Sequence, residues 1–404
     1  MKILEARETL ISQINPQKRY SNSIMNIARY LWYVPESVKV LDVTDELQRY
    51  PEIAVFGVVN QNGSYCGLIE REALFSLVGK PFGREVLQRS LIRDLIKRVE
   101  PFDARVNFLS VAQQLQRRDD ALNRAASEKG VAVETNKYFP LVDEQGRFQG
   151  IFSRYDLHEY LATITRNDIE LASRIQERLL SQQTLKREHC SLIGWTRSAK
   201  GVGGDFYYMQ EINNGMLFAT LCDVSGKGVS AALIVSMLWG MLRTYDYKRG
   251  LRELVININK AIVTTFHLEK YLTGFFLFFD PLQSKLLCAD MGHSHVYLIR
   301  KNHVKPIKGR LLNLPIGVDE SVSPALMGIT LQKGDRLFLY TDGITEQVNR
   351  SGEEFGEDRL RSVLSSLSRH ERPLNELLPE SIDLFSEGVP QQDDMSFLLF
   401  TYEA

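Results

Sequence analysis

Four aspartates in the second half of the chain lie at the ends of apolar runs or beside small residues. Asp205 follows two glycines, Asp223 ends an apolar run, Asp342 precedes a glycine, and Asp393 is followed by Asp394. A single carboxylate at the end of a strand is usually a turn former or a helix cap. Four of them in such surroundings predict a cluster of hard oxygen ligands, the kind that holds Mg²⁺ or Mn²⁺.

The chemistry of such a cluster follows from its ligands. The carboxylate of Asp223 and the carbonyl of Val224 could be shared by two cations. Asp205 could reach one cation, and Asp342 and Asp393 could reach the other. Clustered acids repel one another unless cations or protons neutralise them. Two divalent ions about 3.5–4 Å apart can activate a bridging water for in-line attack on phosphorus. These residues therefore predict hydrolysis by a metal-activated water, without a side chain as nucleophile.

Alternating strands with two buried helices are predicted to position these acids. Apolar runs at 217–222 and 337–340 lead into Asp223 and Asp342, and the run at 396–400 follows the acidic pair. Residues 231–239 are apolar almost all round, which predicts a helix covered on several sides. Strands on either side of Asp280-Pro281 predict a hairpin, and neighbouring strands are expected to be antiparallel.

Two segments in the first half repeat one plan. Residues 56–69 and 139–152 each read as an apolar strand, a glycine-containing turn and a second strand, and an amphipathic helical stretch follows each. A repeated strand–turn–strand–helix unit predicts two similar modules packed as a pseudo-symmetric pair.

A long helix without Gly or Pro is predicted between the two halves, over residues 161–180. At 100° per residue, one face carries an apolar stripe, formed by Leu161, Ile164, Leu171, Ala172, Ile175 and Leu179. Asp168 interrupts the stripe. Such a helix either packs on a neighbouring domain or pairs with its twin in a dimer.

The bulk composition favours a soluble globular protein. The 404 residues are 44% hydrophobic and 25% charged, enough for two or three domains. A net charge of −1 gives no general attraction to nucleic acid or to an anionic membrane. The first residues lack the apolar core of a signal peptide, and the four cysteines form no CxxC pair. We therefore expect a cytoplasmic protein with reduced thiols and no nucleic-acid or membrane partner.

The acidic motifs resemble the PPM family of metal-dependent serine/threonine phosphatases, in its SpoIIE/RsbU-like branch. The likeness covers about residues 185–400. The motifs that carry it are Val202-Gly203-Gly204-Asp205-Phe206-Tyr207, Cys222-Asp223-Val224-Ser225-Gly226-Lys227-Gly228, Met291-Gly292-His293, Leu314-Pro315-Ile316-Gly317, Tyr340-Thr341-Asp342-Gly343 and Gln392-Asp393-Asp394-Met395-Ser396. Each motif alone is weak, but all of them in this order make a strong signal.

This resemblance implies a four-layer α/β/β/α sandwich that binds two Mn²⁺ or Mg²⁺ ions. It implies a metal held jointly by Asp223 and the Val224 carbonyl, and it implies that Asp205 completes one metal site. Asp342 and Asp393 would complete the other site, with Asp394 as a ligand or close behind the ligands. The implied activity is hydrolysis of phosphoserine or phosphothreonine on a protein, often a phosphorylated anti-sigma-factor antagonist in a partner-switching pathway.

Four residues near these motifs depart from the family pattern or have more than one interpretation. The family often has an Asp three residues after the aspartate of the Gly-Gly-Asp motif, and here Tyr208 stands in that place. His293 and His295 could bind metal from one side of a strand, but the resemblance favours a turn beside the active site. Lys227 could contact phosphate or be a solvated turn lysine.

Competing phosphate chemistries lack their motifs. Gly226-Lys227 lacks the upstream glycine and the following Ser or Thr of a P-loop. None of the four cysteines is followed six residues later by the Arg that cysteine phosphatases use, and no Gly-x-Ser-x-Gly elbow lies near the acidic motifs. Metal-assisted hydrolysis of a phosphate ester is the chemistry that remains.

The repeats of the first half resemble a CBS-domain pair. In that family, a Ser or Thr followed three residues later by Asp commonly contacts the ribose of an adenine nucleotide. The second copy has Ser153 and Asp156 in these places, whereas the first copy has Glu70 and Ala73. The alternative is that Ser153 and Asp156 cap the helix that follows.

These interpretations define an α/β (α+β) chain of four parts. Residues 1–35 are unassigned, 36–160 form a regulatory CBS-like pair, 161–184 a linker helix, and 185–404 the phosphatase domain. We expect a homodimer through the linker helix and an adenine nucleotide or another effector at the CBS-like pair. The alternative function is a weak or inactive docking protein that senses such a ligand.

Overall fold

The computed structural model describes residues 10–14, 22–129, 135–181, 183–212, 215–301, 303–307, 313–367 and 372–403. The chain divides into two compact units, Met1–Arg166 and Asn167–Ala404. Within the described ranges, no helix combines the length and the apolar character needed to cross a membrane.

The N-terminal unit contains two sheets and their helices. In chain order its elements are β1 (Ser12–Gln13), β2 (Trp32–Pro35), α1 (Val40–Leu47), β3 (Val55–Val59), β4 (Tyr65–Glu70), α2 (Arg71–Val78), α3 (Gly83–Leu87), β5 (Phe102–Asp103), α4 (Phe108–Lys129), β6 (Tyr138–Val142), β7 (Phe148–Ser153) and the start of α5 (Arg154–Leu179). β1 and β2 lie in residues 1–35, which the sequence analysis left unassigned, and they extend the sheet of the first repeat.

The two repeats share one topology. In each, a short strand lies parallel to the first strand of an antiparallel hairpin, β2 beside β3 and β5 beside β6. The hairpin turns contain Gly63 and Gly146 with positive φ, a conformation that favours glycine. The turns also pair with each other, since Tyr65 N–H donates to the Gly146 carbonyl at 3.0 Å and Phe148 N–H to the Gly63 carbonyl at 3.1 Å. The predicted strand–turn–strand–helix repeat is present.

The described residues of the C-terminal unit form two antiparallel sheets and four longer helices. After the end of α5 its elements are β8 (Thr184–Arg187), β9 (Cys190–Arg197), β10 (Asp205–Glu211), β11 (Leu217–Val224), α6 (Val229–Thr244), α7 (Gly250–Phe266), β12 (Leu272–Asp280), β13 (Lys285–Met291), β14 (Val296–Arg300), β15 (His303–Pro306), β16 (Met327–Thr330), β17 (Arg336–Tyr340), α8 (Gly343–Glu346), α9 (Gly356–Ser366), α10 (Leu374–Ser386) and β18 (Met395–Tyr402).

These elements form four layers, and an apolar core lies between each layer and the next. The first sheet has the order β10-β11-β12-β13-β16, and the second has the order β15-β14-β17-β18-β9-β8. One core lies between the sheets, a second joins α6 and α7 to the first sheet, and a third joins α9 and α10 to the second sheet. Because both faces of each sheet are covered, central strands such as β11 are mostly apolar and buried along nearly their whole length rather than alternating. This is the predicted α/β/β/α order.

The predicted linker helix overlaps α5, which begins at Arg154 and ends at Leu179. The helix therefore starts seven residues before the predicted 161–184 segment, and it ends before that segment does, since residue 184 begins β8. Two members of the predicted apolar stripe, Leu171 and Ile175, are 56% and 51% exposed. Gln176, which the stripe did not include, is buried instead.

Candidate metal centre

Asp205 and Asp223 face each other across the first two strands of the first sheet. β10 begins at Asp205, β11 ends one residue beyond Asp223, and the antiparallel register pairs these two residues directly. Asp205 is 4% exposed, and its Oδ2 accepts a hydrogen bond from the Thr341 hydroxyl at 2.7 Å. Thr341 follows β17 of the second sheet, so this bond joins the acid-bearing ends of the two sheets.

The second sheet brings the remaining acids to the same end. Asp342 follows β17, and Asp393 and Asp394 immediately precede β18, the antiparallel neighbour of β17. The end of one strand and the start of the other therefore share an edge. The two segments touch at Gly343, where an added Cβ would overlap the Asp394 carbonyl oxygen. Acids from four separate segments meet at this edge.

Asp394 holds the glycine loop that leads into Asp205. Its Oδ1 accepts a hydrogen bond from Ala199 N–H at 2.8 Å, and its Oδ2 accepts one from Gly204 N–H at 2.7 Å. The side chain is buried. Its contacts are those of a residue that fixes the backbone behind the acidic cluster.

Asp393 is paired with a lysine from the turn after β11. Its Oδ2 lies 2.8 Å from the Lys227 Nζ, and its Oδ1 accepts a hydrogen bond from Asp394 N–H at 2.8 Å. The Lys227 ammonium also donates to the Gln392 carbonyl at 3.2 Å. Lys227 therefore supplies positive charge to the cluster, a contact that neither sequence interpretation of this residue named.

The electrostatics show that the carboxylates repel one another. Burial, followed by the like charges of Asp342, Asp393 and Asp394, raises the pKa of Asp223 from its ordinary 3.8 to about 7. Burial and the charge of Asp223 likewise raise the pKa of Asp205 well above its usual range. A site that holds excess negative charge in this way is suited to cations.

The donor set fits hard divalent cations. It consists of carboxylate oxygens together with the Val224 carbonyl, which lies beside Gly204: a Cβ added to that glycine would be 2.7 Å from the carbonyl oxygen. Among the residues that the structure describes, no three His, Cys, Asp or Glu side chains stand arranged as a ready metal site. Asp205, Asp393 and Asp394 are instead engaged by Thr341, Lys227 and backbone amides.

Tyr208 lies away from the acidic cluster. Its ring stacks beside Phe206 and contacts Phe218 in the core beneath α6 and α7. Because side chains alternate along β10, Tyr208 points to the helix layer. The substitution of this family position is therefore a packing feature of the first sheet.

His293 and His295 lie in the turn between β13 and β14. Asp290 Oδ1 accepts hydrogen bonds from His293 N–H at 2.9 Å and Ser294 N–H at 3.2 Å, which closes the turn. Burial lowers the pKa of His293 to about 3, so its ring is neutral. His295 packs on Tyr340, with ring centroids 5.0 Å apart. This geometry matches the turn interpretation.

Ser153 and Asp156 in the N-terminal unit satisfy each other. Asp156 Oδ2 accepts hydrogen bonds from the Ser153 hydroxyl at 2.6 Å and from Ser153 N–H at 2.8 Å, and Ser153 Oγ accepts one from Asp156 N–H at 3.1 Å. Both residues are buried, and Asp156 also pairs with Arg29. These contacts are those of a helix cap at the start of α5.

A separate cavity of about 650 Å³ lies in the N-terminal unit. Tyr33 and Phe148 contribute aromatic walls, and Arg105 and Arg147 contribute charge, each already paired with neighbouring acids. Neither Ser153 nor Asp156 lines it.

The sequence analysis assigned no role to two residues that contact the acidic cluster or its glycine loop. Thr341 bonds to Asp205 and also accepts from Ser396 N–H at 2.9 Å, and its place beside Asp342 in a Thr-Asp-Gly motif was a usable signal. Gln176 of α5 bonds to Gly203. In the sequence, Gln176 is a polar residue near the apolar positions 175 and 179 of the predicted helix. That signal is too weak to identify it.

The raised pKa of Asp223 predicts how stability depends on pH in the metal-free protein. The pKa of Asp223 is higher in the folded protein than in the unfolded protein, so its carboxyl contributes fully to stability below about pH 4. This contribution is lost as pH rises through about 7. Asp223→Asn removes this loss. In EDTA at pH 8 we expect the variant to be more stable than the parent by on the order of 2 kcal/mol, since solvent screens part of the repulsion at the half-buried carboxylate.

Thermal unfolding in EDTA at pH 6, 7 and 8 measures this effect. The parent should lose stability across the series more steeply than Asp223→Asn. Parallel pH profiles for the two proteins would contradict the electrostatic account of the cluster.

Comparison with known proteins places the C-terminal unit. Residues 213–403 match the family model described as Stage II sporulation protein E (SpoIIE). The SiaA-PP2C domain of Pseudomonas aeruginosa has a similar structure, with a TM-score of 0.50 and 20% identity, over 60% of this chain and 99% of that domain. The C-terminal unit thus has the PP2C phosphatase fold.

Two curated relatives are similar to about half of this chain. Phosphoserine phosphatase RsbU of Bacillus subtilis (strain 168) is 24% identical over 205 residues, 49% of this chain and 60% of that protein. Phosphoserine phosphatase RsbP of the same organism is 22% identical over 188 residues, 45% of this chain and 46% of that protein. Together with the family match, they support a SpoIIE/RsbU-like domain of the serine/threonine phosphatase class. The chain spans about half to three-fifths of the length of these relatives.

Proposed function

We propose that this chain is a metal-dependent protein phosphatase that hydrolyses phosphoserine or phosphothreonine on a protein substrate. The observation that supports it most is the meeting of carboxylates from four segments at one edge of both sheets, around Asp223. A phosphorylated anti-sigma-factor antagonist is the substrate we propose, in keeping with the likeness to RsbU and RsbP.

The residues divide into ligands and residues that hold the ligands. Asp205, Asp223 and the Val224 carbonyl would hold one cation, and Asp223, Asp342 and Asp393 would hold the second. When bound, two Mn²⁺ or Mg²⁺ ions activate water and neutralise the charge that develops on the phosphoryl oxygens.

Behind these ligands, Thr341 orients the Asp205 carboxylate through its hydroxyl. Asp394 fixes the glycine loop through two backbone amides. Cations must compete with Lys227 for the carboxylate of Asp393.

Phosphate release from a phosphoserine protein tests the proposal. The purified full chain with Mn²⁺ should release inorganic phosphate, and EDTA should stop the release. Absence of release from several phosphoserine and phosphothreonine proteins, at millimolar Mn²⁺, would reject the enzymatic function.

A second candidate is a docking protein with weak or no activity. The Lys227–Asp393 pair favours it, because a resident ammonium lowers the need for a cation at that carboxylate. Calorimetric titration with Mn²⁺ separates the two functions, since a docking protein would show no binding even at millimolar metal.

The N-terminal repeats are proposed to act as a CBS-like regulatory pair. Their shared strand order supports this, and the cavity of about 650 Å³ offers space for an effector. An adenine nucleotide, another small molecule or a protein could fill this role. Calorimetric titration with AMP and ATP tests the nucleotide, and no heat at millimolar ligand would exclude it.

A homodimer through α5 is proposed from the exposed pair Leu171 and Ile175, one turn apart on the helix. Light scattering of the full chain should give twice the chain mass. The double change Leu171→Glu and Ile175→Glu should give the mass of one chain, whereas Glu177→Gln, an exposed change in the same helix, should not. A monomeric parent at high concentration would contradict the proposal, and a dimer that survives the double change would place the interface elsewhere.

A further inference from the structure

Gln176 is a buried polar residue on a largely exposed stretch of helix. Its side chain is 5% exposed, whereas Ile175 and Glu177 on either side of it are exposed. Burial of a primary amide is costly unless its polar atoms form hydrogen bonds. The contacts of Gln176 must therefore explain why a glutamine stands here.

Both halves of the Gln176 amide bind one residue, Gly203. The Nε2 donates to the Gly203 carbonyl at 2.8 Å, and the Oε1 accepts from Gly203 N–H at 3.0 Å. A primary amide carries a donor and an acceptor side by side, so it can pair with the N–H and C=O of one residue as a neighbouring strand would. A hydrocarbon side chain makes neither bond, and a carboxylate makes only one.

Gly203 lies in the loop that sets the position of Asp205. Its α-carbon is against Asp394, since a Cβ added there would be 2.5 Å from the Asp394 Oδ2. The same oxygen accepts a hydrogen bond from Gly204 N–H at 2.7 Å. The loop is thus held on one side by Asp394 and on the other by Gln176.

The segment from the C-terminal half of α5 to Leu180 contacts this region at two further points. Ile169 lies beside Gly201, with the Ile169 Cγ2 3.4 Å from where a Cβ on that glycine would be. The Tyr207 hydroxyl donates to the Leu180 carbonyl at 2.9 Å. Gln176 lies between these two contacts along the chain and makes the hydrogen bonds to Gly203.

We propose that Gln176 is a positioning residue for the metal centre. This proposal rests on the proposed phosphatase function. By fixing the Gly203 peptide it fixes the place of Asp205, and it keeps Gly204 within reach of Asp394. Residues that orient metal ligands without touching the metal typically change metal affinity about 10–100-fold when removed. Gln176 acts through the Gly203 backbone and not on a ligand directly, so its loss is expected at the lower end of this range, about tenfold.

Calorimetric titration of the full chain with Mn²⁺ tests the proposal. Gln176→Met keeps the length and the helical preference of the side chain and removes both hydrogen bonds. We expect this variant to bind Mn²⁺ about tenfold more weakly than the parent, or weaker still. Its kcat at subsaturating metal should be lower, and its KM for the phosphoprotein should be unchanged. Glu177→Leu, at the next position of the same helix but exposed, should bind Mn²⁺ as the parent does.

A second variant covers the case in which Gln176→Met does not fold. Gln176→Glu keeps the acceptor for Gly203 N–H and loses the donor to the carbonyl, so it should weaken Mn²⁺ binding by about threefold or more. Binding as tight as the parent's, in either variant that folds by circular dichroism, would overturn the role of Gln176. A parent that binds no Mn²⁺ would instead reject the proposed function, so the two failures are distinct.

Discussion

Asp223→Asn should abolish Mn²⁺-dependent release of phosphate from a phosphoserine protein. The charges of Asp342, Asp393 and Asp394 all raise the pKa of Asp223. Asp223 also faces Asp205 directly across the strand pair. An amide at this position keeps the size of the side chain but removes the negative charge that two cations would share. Removing a residue that only orients a metal ligand costs up to about 100-fold in metal affinity or activity. The loss of activity in Asp223→Asn should be larger than this.

The assay compares full-length proteins at equal concentration over a range of Mn²⁺. Asp358→Asn, an exposed acid in the first turn of α9, is the matched control and should keep the parent rate. Circular dichroism and thermal unfolding in EDTA should show a folded Asp223→Asn protein, which is expected to be the more stable of the two at pH 8. Equal rates for Asp223→Asn and the parent would remove the acid from the chemistry.

Gly343→Ala should cause the second-largest loss, in activity and in stability together. A Cβ at Gly343 would overlap the carbonyl oxygen of Asp394 and lie 3.2 Å from the Asp393 Cβ. Because the first of these contacts is backbone, the two segments must move apart. Overpacking of this kind typically costs about 1–3 kcal/mol, and the displacement would separate Asp342 from Asp393.

Gly240→Ala is the matched control for this change. Gly240 lies within α6, and an added Cβ meets no atom within 4 Å there. Alanine should therefore stabilise the helix by roughly 0.5–1 kcal/mol and leave activity unchanged. Denaturant unfolding and the phosphate assay measure both variants, and a Gly343→Ala protein with parental stability and rate would show that the segments tolerate separation.

The sequence was most informative where chemistry and local structure coincide. Asp223 and Asp342 each lie at the end of a largely apolar run, and such runs form the buried central strands β11 and β17. The acids at their ends could therefore be recognised before the fold was known. The antiparallel pairing and the four layers followed from the same runs together with the family resemblance.

Contacts between distant segments could not be predicted in this way. Asp394 binds the backbone of Ala199 and Gly204, and Lys227 pairs with Asp393, across more than 160 positions in each case. No local periodicity encodes which surface a loop will meet. Gln176 is the clearest example, since its helical position is unremarkable until Gly203 lies against it.

The N-terminal repeats illustrate the opposite situation. The hairpins and their glycine turns were predictable because strand, turn and strand follow one another along the chain. The roles of Ser153 and Asp156 were not, because a helix cap and a ribose contact use the same residue types at the same spacing. Their mutual hydrogen bonds are those of the cap.

Anomalous diffraction from crystals grown with Mn²⁺ examines the metal centre most directly. We expect two peaks where the C-terminal ends of β11 and β17 bring Asp223 and Asp342 together, each within about 2.0–2.6 Å of carboxylate oxygens. Asp223 should contact both ions, with Asp393 released from Lys227. Saturating Mn²⁺ with no peak among Asp205, Asp223, Asp342 and Asp393 would contradict the account.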